Sequence, residues 1–257
     1  MTIKKMSRRR VAWLVCAGLW AVCASAGAQA QRSYAVLSLC ADKFFVVQPQ
    51  MTTGSSLDRN VRSTHQLPDD SIEMVAVSAA EAAVKKAEPG ASVGLYITRD
   101  PALYGALGAE DGSVRDMPRL LGKLKALVED SKASHLILIS RHRHPARFRV
   151  TEGYIGVGRV YGVGFYVDEG AELRSTETGE RRGGFVGPYA AVKVQLIDLA
   201  DGRVVSESAS LASEMHAAPL SANSAWAAMP AVEKLRAMQQ VVQQAVHEGV
   251  SKALKAS

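Results

Sequence analysis

His135-Leu-Ile-Leu-Ile-Ser140 places four large aliphatic residues in succession between two polar ones. A strand with one wet face alternates apolar and polar residues, whereas a strand covered on both faces is apolar throughout. The run therefore predicts a central strand with layers above and below it. Upstream, Pro118 opens a segment in which Leu120, Leu121, Leu124, Leu127 and Val128 recur at helical spacing. Residues 93–98 before that read as a strand. Earlier still, Met74, Val77, Ala80 and Val84 mark a helix that Glu88-Pro89-Gly90 stops. Asp70 and Glu73 open it in the manner of a capping box. Helix, strand, helix, strand predicts an α/β sheet with right-handed crossovers, at least partly parallel.

The flanks have a different character. Residues 34–39 and 44–47 are two β-rich runs joined by Cys40-Ala-Asp-Lys43, which predicts a hairpin with Asp42 in its turn. From 48 to 69 the chain is polar and aperiodic, broken by Pro49, Gly54, Ser55, Ser56 and Pro68, and reads as a long loop. Ten of the 21 glycines lie between Gly153 and Gly187. There, Tyr154-Ile-Gly-Val-Gly158 and Val160-Tyr-Gly-Val-Gly-Phe-Tyr-Val167 alternate small with large residues, leaving one strand face nearly bare. Phe185, Val186, Tyr189, Val192, Val194 and Leu196 form the return strand, and the tip over 168–183 is charged and polar. Asp201-Gly202 predicts a second hairpin. Val232, Leu235, Met238, Val242, Ala245, Val246 and Ala253 give residues 226–255 an amphipathic helical stripe. The expectation is one α/β (mixed α+β) domain over 31–257. It is a mixed sheet with flanking helices, a glycine-rich β-hairpin extension over 153–190 and a C-terminal amphipathic helix.

The first thirty residues read as an export signal. Lys4, Lys5, Arg8, Arg9 and Arg10 precede an apolar run from 11 to 24 and the small-residue ending Ala28-Gln29-Ala30. This order predicts a secretory signal peptide cleaved after Ala30 and a periplasmic mature chain with no integral membrane span. Five of the 31 Lys and Arg leave with it and none of the 25 Asp and Glu, so 26 bases face 25 acids. Without a basic surface the counterion release that drives nucleic-acid binding is missing, and that class is excluded. Cys16 and Cys23 leave as well, so Cys40 has no intrachain disulfide partner. Val22 before Cys23 and Leu39 before Cys40 are too large for a lipid-anchor site.

The strand at 135–140, the hairpin around Asp201-Gly202 and the final helix resemble, in that order, a periplasmic α/β module. That module is found in curli secretion lipoproteins, penicillin-binding-protein activators and the N-terminal domain of TolB. Leu57-Asp-Arg-Asn60 and Gly162-x-Gly-Phe-Tyr-Val-Asp168 also resemble segments of uncharacterised secreted proteobacterial proteins. That second resemblance carries no function, and an envelope protein partner is expected from the hairpin rather than from either likeness.

The densest chemical segment is Arg141-His-Arg-His-Pro-Ala-Arg-Phe-Arg149. Arg141, His142, Arg143 and His144 form a candidate anion-binding strand end, because guanidinium grips phosphate or carboxylate with a two-pronged fork. Two histidines without further ligands do not make a metal site, and no metal or other cofactor is implied. Asp58, Arg59 and Asn60 on the long loop are a second candidate ligand-binding group. Tyr161, Phe165 and Tyr166 could serve as a partner contact if the hairpin projects. Gly156-x-Gly158 and Gly162-x-Gly164 lack the following helix on which a nucleotide phosphate rests. They read instead as places where a backbone or a ring comes close. No nucleophile elbow, zinc-protease motif or Walker loop is present. These features predict a non-enzymatic binding or envelope-assembly accessory. The alternative is a small periplasmic hydrolase or anionic-ligand receptor using the 48–69 loop and the 141–149 strand.

Overall fold

Residue alternation along β10 (Arg181–Asp198) builds the spine of the sheet, since Val186, Ala190, Val192, Val194 and Leu196 are all buried on one face. In the computed structural model, residues 32–50, 60–107, 117–174 and 178–257 are described. One flank of β10 pairs antiparallel with β11 (Val204–Ser213) and β12 (His216–Pro219). The other flank is shared by β5 (His135–Arg141) and β9 (Arg159–Arg174), which lie end to end. Arg141 stands opposite Val192 and Gly162 opposite Ala191, so β9 takes over where β5 stops. The next row repeats the arrangement. β1 (Ser33–Leu39) runs parallel to β5, and β2 (Lys43–Gln48) runs parallel to β9. β4 (Ser92–Tyr96) closes the row beyond β1, and β3 (Val61–Gln66) closes it beyond β2.

Two expectations change here. The hairpin predicted around Asp42 does not form, because β1 and β2 are successive lengths of one row. Leu39, Cys40 and Ala41 are buried, which keeps the chain inside the layer rather than turning it at the surface. Second, the stretch read as a loop over 48–69 contains strand β3. This edge strand carries polar side chains on both faces, mostly exposed, so it has no apolar alternation to read.

One face of the sheet is covered, chiefly over β1, β4, β9, β10 and β11, by helices α1 (Ser71–Ala87) and α5 (Ala231–Lys255). Met238, Val242, Val246 and Val250 of α5 are buried against it, each contributing roughly 1.5–3 kcal/mol on leaving water. The helix seats closely: Ser208 and Ser206 of β11 donate to Gly249 O and Ala253 O at 2.6 and 2.7 Å. The predicted stripe begins too early, since Val232 and Leu235 are exposed. Met229-Pro230 separates the long helix from the short α4 (Ala225–Ala228).

The opposite face is divided. Over β1, β4 and β5 it is covered by α2 (Pro101–Ala106) and α3 (Met117–Val128), through Leu103, Leu120 and Leu124. Over β2 and β9 it is covered by an excursion containing β6 (Arg143–Pro145), β7 (Phe148–Val150) and β8 (Gly153–Ile155). The bare glycine face is what admits this second cover. A Cβ at Gly187 would collide with the Phe148 ring of this cover, and one at Gly164 with the Phe45 backbone of the neighbouring strand β2. The close approach of a ring and of a backbone, expected from the glycine pattern, is therefore present at both positions. No helix among the described residues is long and apolar enough to cross a membrane.

Candidate functional site

Parallel strands β1 and β4 end on the same side of the sheet, and the chain leaves them through Cys40-Ala-Asp42 and Thr98-Arg99-Asp100. A crevice beyond the carboxyl ends of parallel strands is where α/β sheets bind ligands. Here it has a volume of about 370 Å³ and is lined chiefly by Asp42, Leu67, Asp69, Asp70, Arg99 and Tyr104. The start of α1 forms one wall.

Asp70 occupies the N-cap of α1 but makes no capping bond, and Glu73 does not reach back to it. The predicted capping box is replaced by other partners. Arg99 Nε donates to both Asp70 carboxylate oxygens at 2.8 and 2.9 Å, and Asp69 accepts from Ser71 N at 3.0 Å. Glu73 turns inward and is only 2% exposed. Its carboxylate accepts from Ala41 N at 2.7 Å and from the Tyr104 hydroxyl at 2.9 Å. Burial raises the Glu73 carboxyl above its ordinary value. Burial, then the Glu73 charge, pushes the Tyr104 hydroxyl and the Cys40 thiol up, so both keep their protons. A thiol held this way is a poor nucleophile.

Asp42 joins the crevice to the seam between the two covers on that face. Arg141 Nη1 donates to Asp42 Oδ1 at 2.8 Å, with the arginine side chain 7% exposed. The guanidinium lies 5.8 Å from the Tyr104 ring and 5.7 Å from the Tyr161 ring, one in each core. A desolvated cation over an aromatic face is worth about 2 kcal/mol. Gly162 makes room: its φ is +61°, and a Cβ there would sit 3.0 Å from the Arg141 stem.

The structure places the expected site residues differently. Arg141 is committed to Asp42 and does not stand free for an anion. The His142 backbone bridges Ala191 O and Gly162 N, and Arg143 and His144 pair with Tyr161 and Val160 of β9. Asn60 Nδ2 donates to Val157 O at 2.8 Å. Asp58 and Arg59 lie outside the described residues. Neither the Arg141–His144 segment nor Asn60 lines the crevice. Tyr161, Phe165 and Tyr166, expected as a partner contact, are buried at 8, 2 and 0% exposure. They pack within the body because the second cover and α4 close over β9, with Trp226 edge-on to Phe165.

The crevice residues were not singled out as a site by sequence reasoning. A signal was available for Glu73, which stands four residues before Val77 and continues the Val77, Ala80, Val84 stripe. Met74, assigned to that stripe, is instead 57% exposed. Two serine–histidine contacts also occur, Ser63 with His65 at 3.0 Å and Ser134 with His135 at 2.9 Å. Neither ring is bonded to a carboxylate among the described residues, so neither forms a relay. No group of three or more His, Cys, Asp or Glu among the described residues could hold a metal ion.

No family model matches the chain, and no curated protein matches it. Solved structures similar to it include the PelC L103M dodecamer from Paraburkholderia phytofirmans. That chain is 12% identical, with 86% of this chain and 87% of that one covered and a TM-score of 0.30. A DUF330 protein from Xanthomonas campestris is 11% identical over 88% and 84% of the two chains, with a TM-score of 0.38. A homolog of a neuraminyllactose-binding hemagglutinin from Helicobacter pylori is 8% identical over 85% and 78%, with a TM-score of 0.35. All three neighbours are bacterial proteins.

Proposed function

We propose that the chain is exported, cleaved after Ala30, and acts in the cell envelope as a non-enzymatic binding or assembly accessory. The body is the scaffold, and the far end of the β9–β10 ribbon is the contact surface. The observation that carries this reading is the contrast between tied and presented groups. The reactive side chains around the crevice are engaged with one another: Asp42 with Arg141, Asp70 with Arg99, Glu73 with Ala41 and Tyr104. Beyond Val167 the ribbon turns one face to solvent, where Glu169, Gly170, Glu172, Arg174 and Arg181 are exposed, while Ala171 and Leu173 pack against the core. Its root is fixed, because Glu169 accepts from Ala225 N at 2.6 Å. A rigidly rooted, polar ribbon presents recognition groups at low entropic cost. The resemblance to the modules of curli secretion lipoproteins, penicillin-binding-protein activators and TolB supports the same role.

Two measurements test this. The N-terminus of protein recovered from the periplasmic fraction should read from Gln31; protein retained in the cytoplasm with Met1 intact overturns export. A photo-crosslinking residue at Glu172 or Arg181 should trap a discrete envelope protein that the same probe at Lys252 on α5 does not. Equal adducts from both places, or none from the ribbon, remove the ribbon from the function.

A further inference from the structure

The edge strands of the sheet are finished differently. β3 carries Arg62 and His65 and is polar after Val61, and β12 is short and ends at Pro219, which are ordinary ways of blocking an open edge. Along the same outer row as β3, β4 and the residues after it read Ser92-Val-Gly-Leu-Tyr-Ile-Thr98, with no charge and no proline. No strand pairs with the outer edge of β4 among the described residues. Leu95 is 41% exposed and Ile97 42%. A short, uncharged edge with exposed aliphatic residues is a template for another strand.

We propose that this edge pairs with a second copy of the chain, β4 against β4 in antiparallel register about a two-fold axis at Leu95. This inference rests on the edge alone and is independent of the ribbon. Self-complementarity of the strand favours a second copy over another protein. Centring on Leu95 sets Leu95 beside its counterpart, and Val93 beside the second copy's Ile97. Val93 and Leu95 share one face of β4, and the same alternation carried one step past the strand end puts Ile97 with them, so the pairing would align six aliphatic side chains in a cross-strand ladder. On the other face Gly94 falls beside Tyr96, and Ser92 beside Thr98, whose hydroxyls are within pairing distance in such a ladder. The first charge, Arg99, falls opposite Ala91 rather than another arginine, so the two-fold brings no like charges together. An isologous contact of this kind closes after two copies and gives no filament. The pairing joins two sheets into one while leaving the ribbon and the crevice to each copy.

The test uses the purified full chain. Sedimentation over a concentration series should show a monomer–dimer equilibrium, and Leu95→Lys, which places two ammonium groups at the axis, should weaken dimerisation at least tenfold. Leu95 is exposed, so this substitution leaves the fold intact, which circular dichroism checks. Independently, Leu95→Cys should form a disulfide under mild oxidation, mapped by mass spectrometry to two copies of the peptide spanning residue 95. Ser78→Cys on α1, also an exposed position, should not. A chain that is monomeric at every concentration and gives no such crosslink overturns the proposal. So does a dimer that survives Leu95→Lys while the crosslink fails, because that dimer uses another surface.

Discussion

The half of the sheet holding β1, β4 and β5 and the half holding β2, β3 and β9 share one spine and one helical cover. They complete the opposite face by different means. In the first half, helices α2 and α3 stand off the sheet by the length of ordinary side chains, and Leu103, Leu120 and Leu124 fill the space. In the second half, the β6–β8 excursion presses closer and Gly187 makes room for its Phe148 ring, while Gly164 lets the Phe45 backbone of the neighbouring strand β2 approach within the sheet. Layer spacing therefore decides composition at the cover: leucines beneath the helices, and a glycine beneath the Phe148 ring of the strand excursion. Arg141 lies at the seam with an aromatic ring from each half beside it.

The sharpest way to break this contrast is Gly164→Val. Its Cβ would meet the Phe45 backbone, which cannot move aside without dismantling β2, so urea unfolding should show a loss of more than about 4 kcal/mol or no folded protein. Phe148→Ala removes the ring that the Gly187 gap accommodates and should cost about 3–5 kcal/mol in the same measurement. Arg141→Ala should cost about 2–3 kcal/mol, at or below the low end for breaking a buried pair, because Asp42 keeps 29% of its side chain in water. Arg141→Lys should recover only part of this, since an ammonium group lacks the planar face and the fork.

Glu73 sharpens the comparison through pH. Burial raises its carboxyl, so the folded state holds a proton that the unfolded chain releases. Its contribution is therefore greatest below the ordinary value of 4.5 and is lost as pH rises through the raised one. Urea midpoints of the native chain should fall relative to Glu73→Gln as pH increases over that window, and a constant difference would contradict the assignment. Arg99→Ala, at the exposed mouth of the crevice, should leave the midpoint unchanged.

Legibility followed the same division. The strand at 135–140, the flanking helices and the Asp201-Gly202 hairpin were readable because each writes its own period or turn chemistry into consecutive residues. The glycine alternation was readable as a bare face, though not what would lie on it. Strand β3 was hidden because a two-sided polar edge has no apolar period. The crevice was hidden because Asp42 and Asp70 resemble turn and cap residues until their partners, Arg141 and Arg99, arrive from 99 and 29 positions away.

The local pattern alone determined a mixed α/β sheet, its helical cover and the glycine face, since periodicity and steric size act within a few residues. Only the tertiary structure decided that β1 and β2 form one row rather than a hairpin, and that Tyr161, Phe165 and Tyr166 turn inward. It also decided that Asp42 faces Arg141. Those outcomes depend on which distant segment occupies the neighbouring space, and burial and charge pairing are settled there.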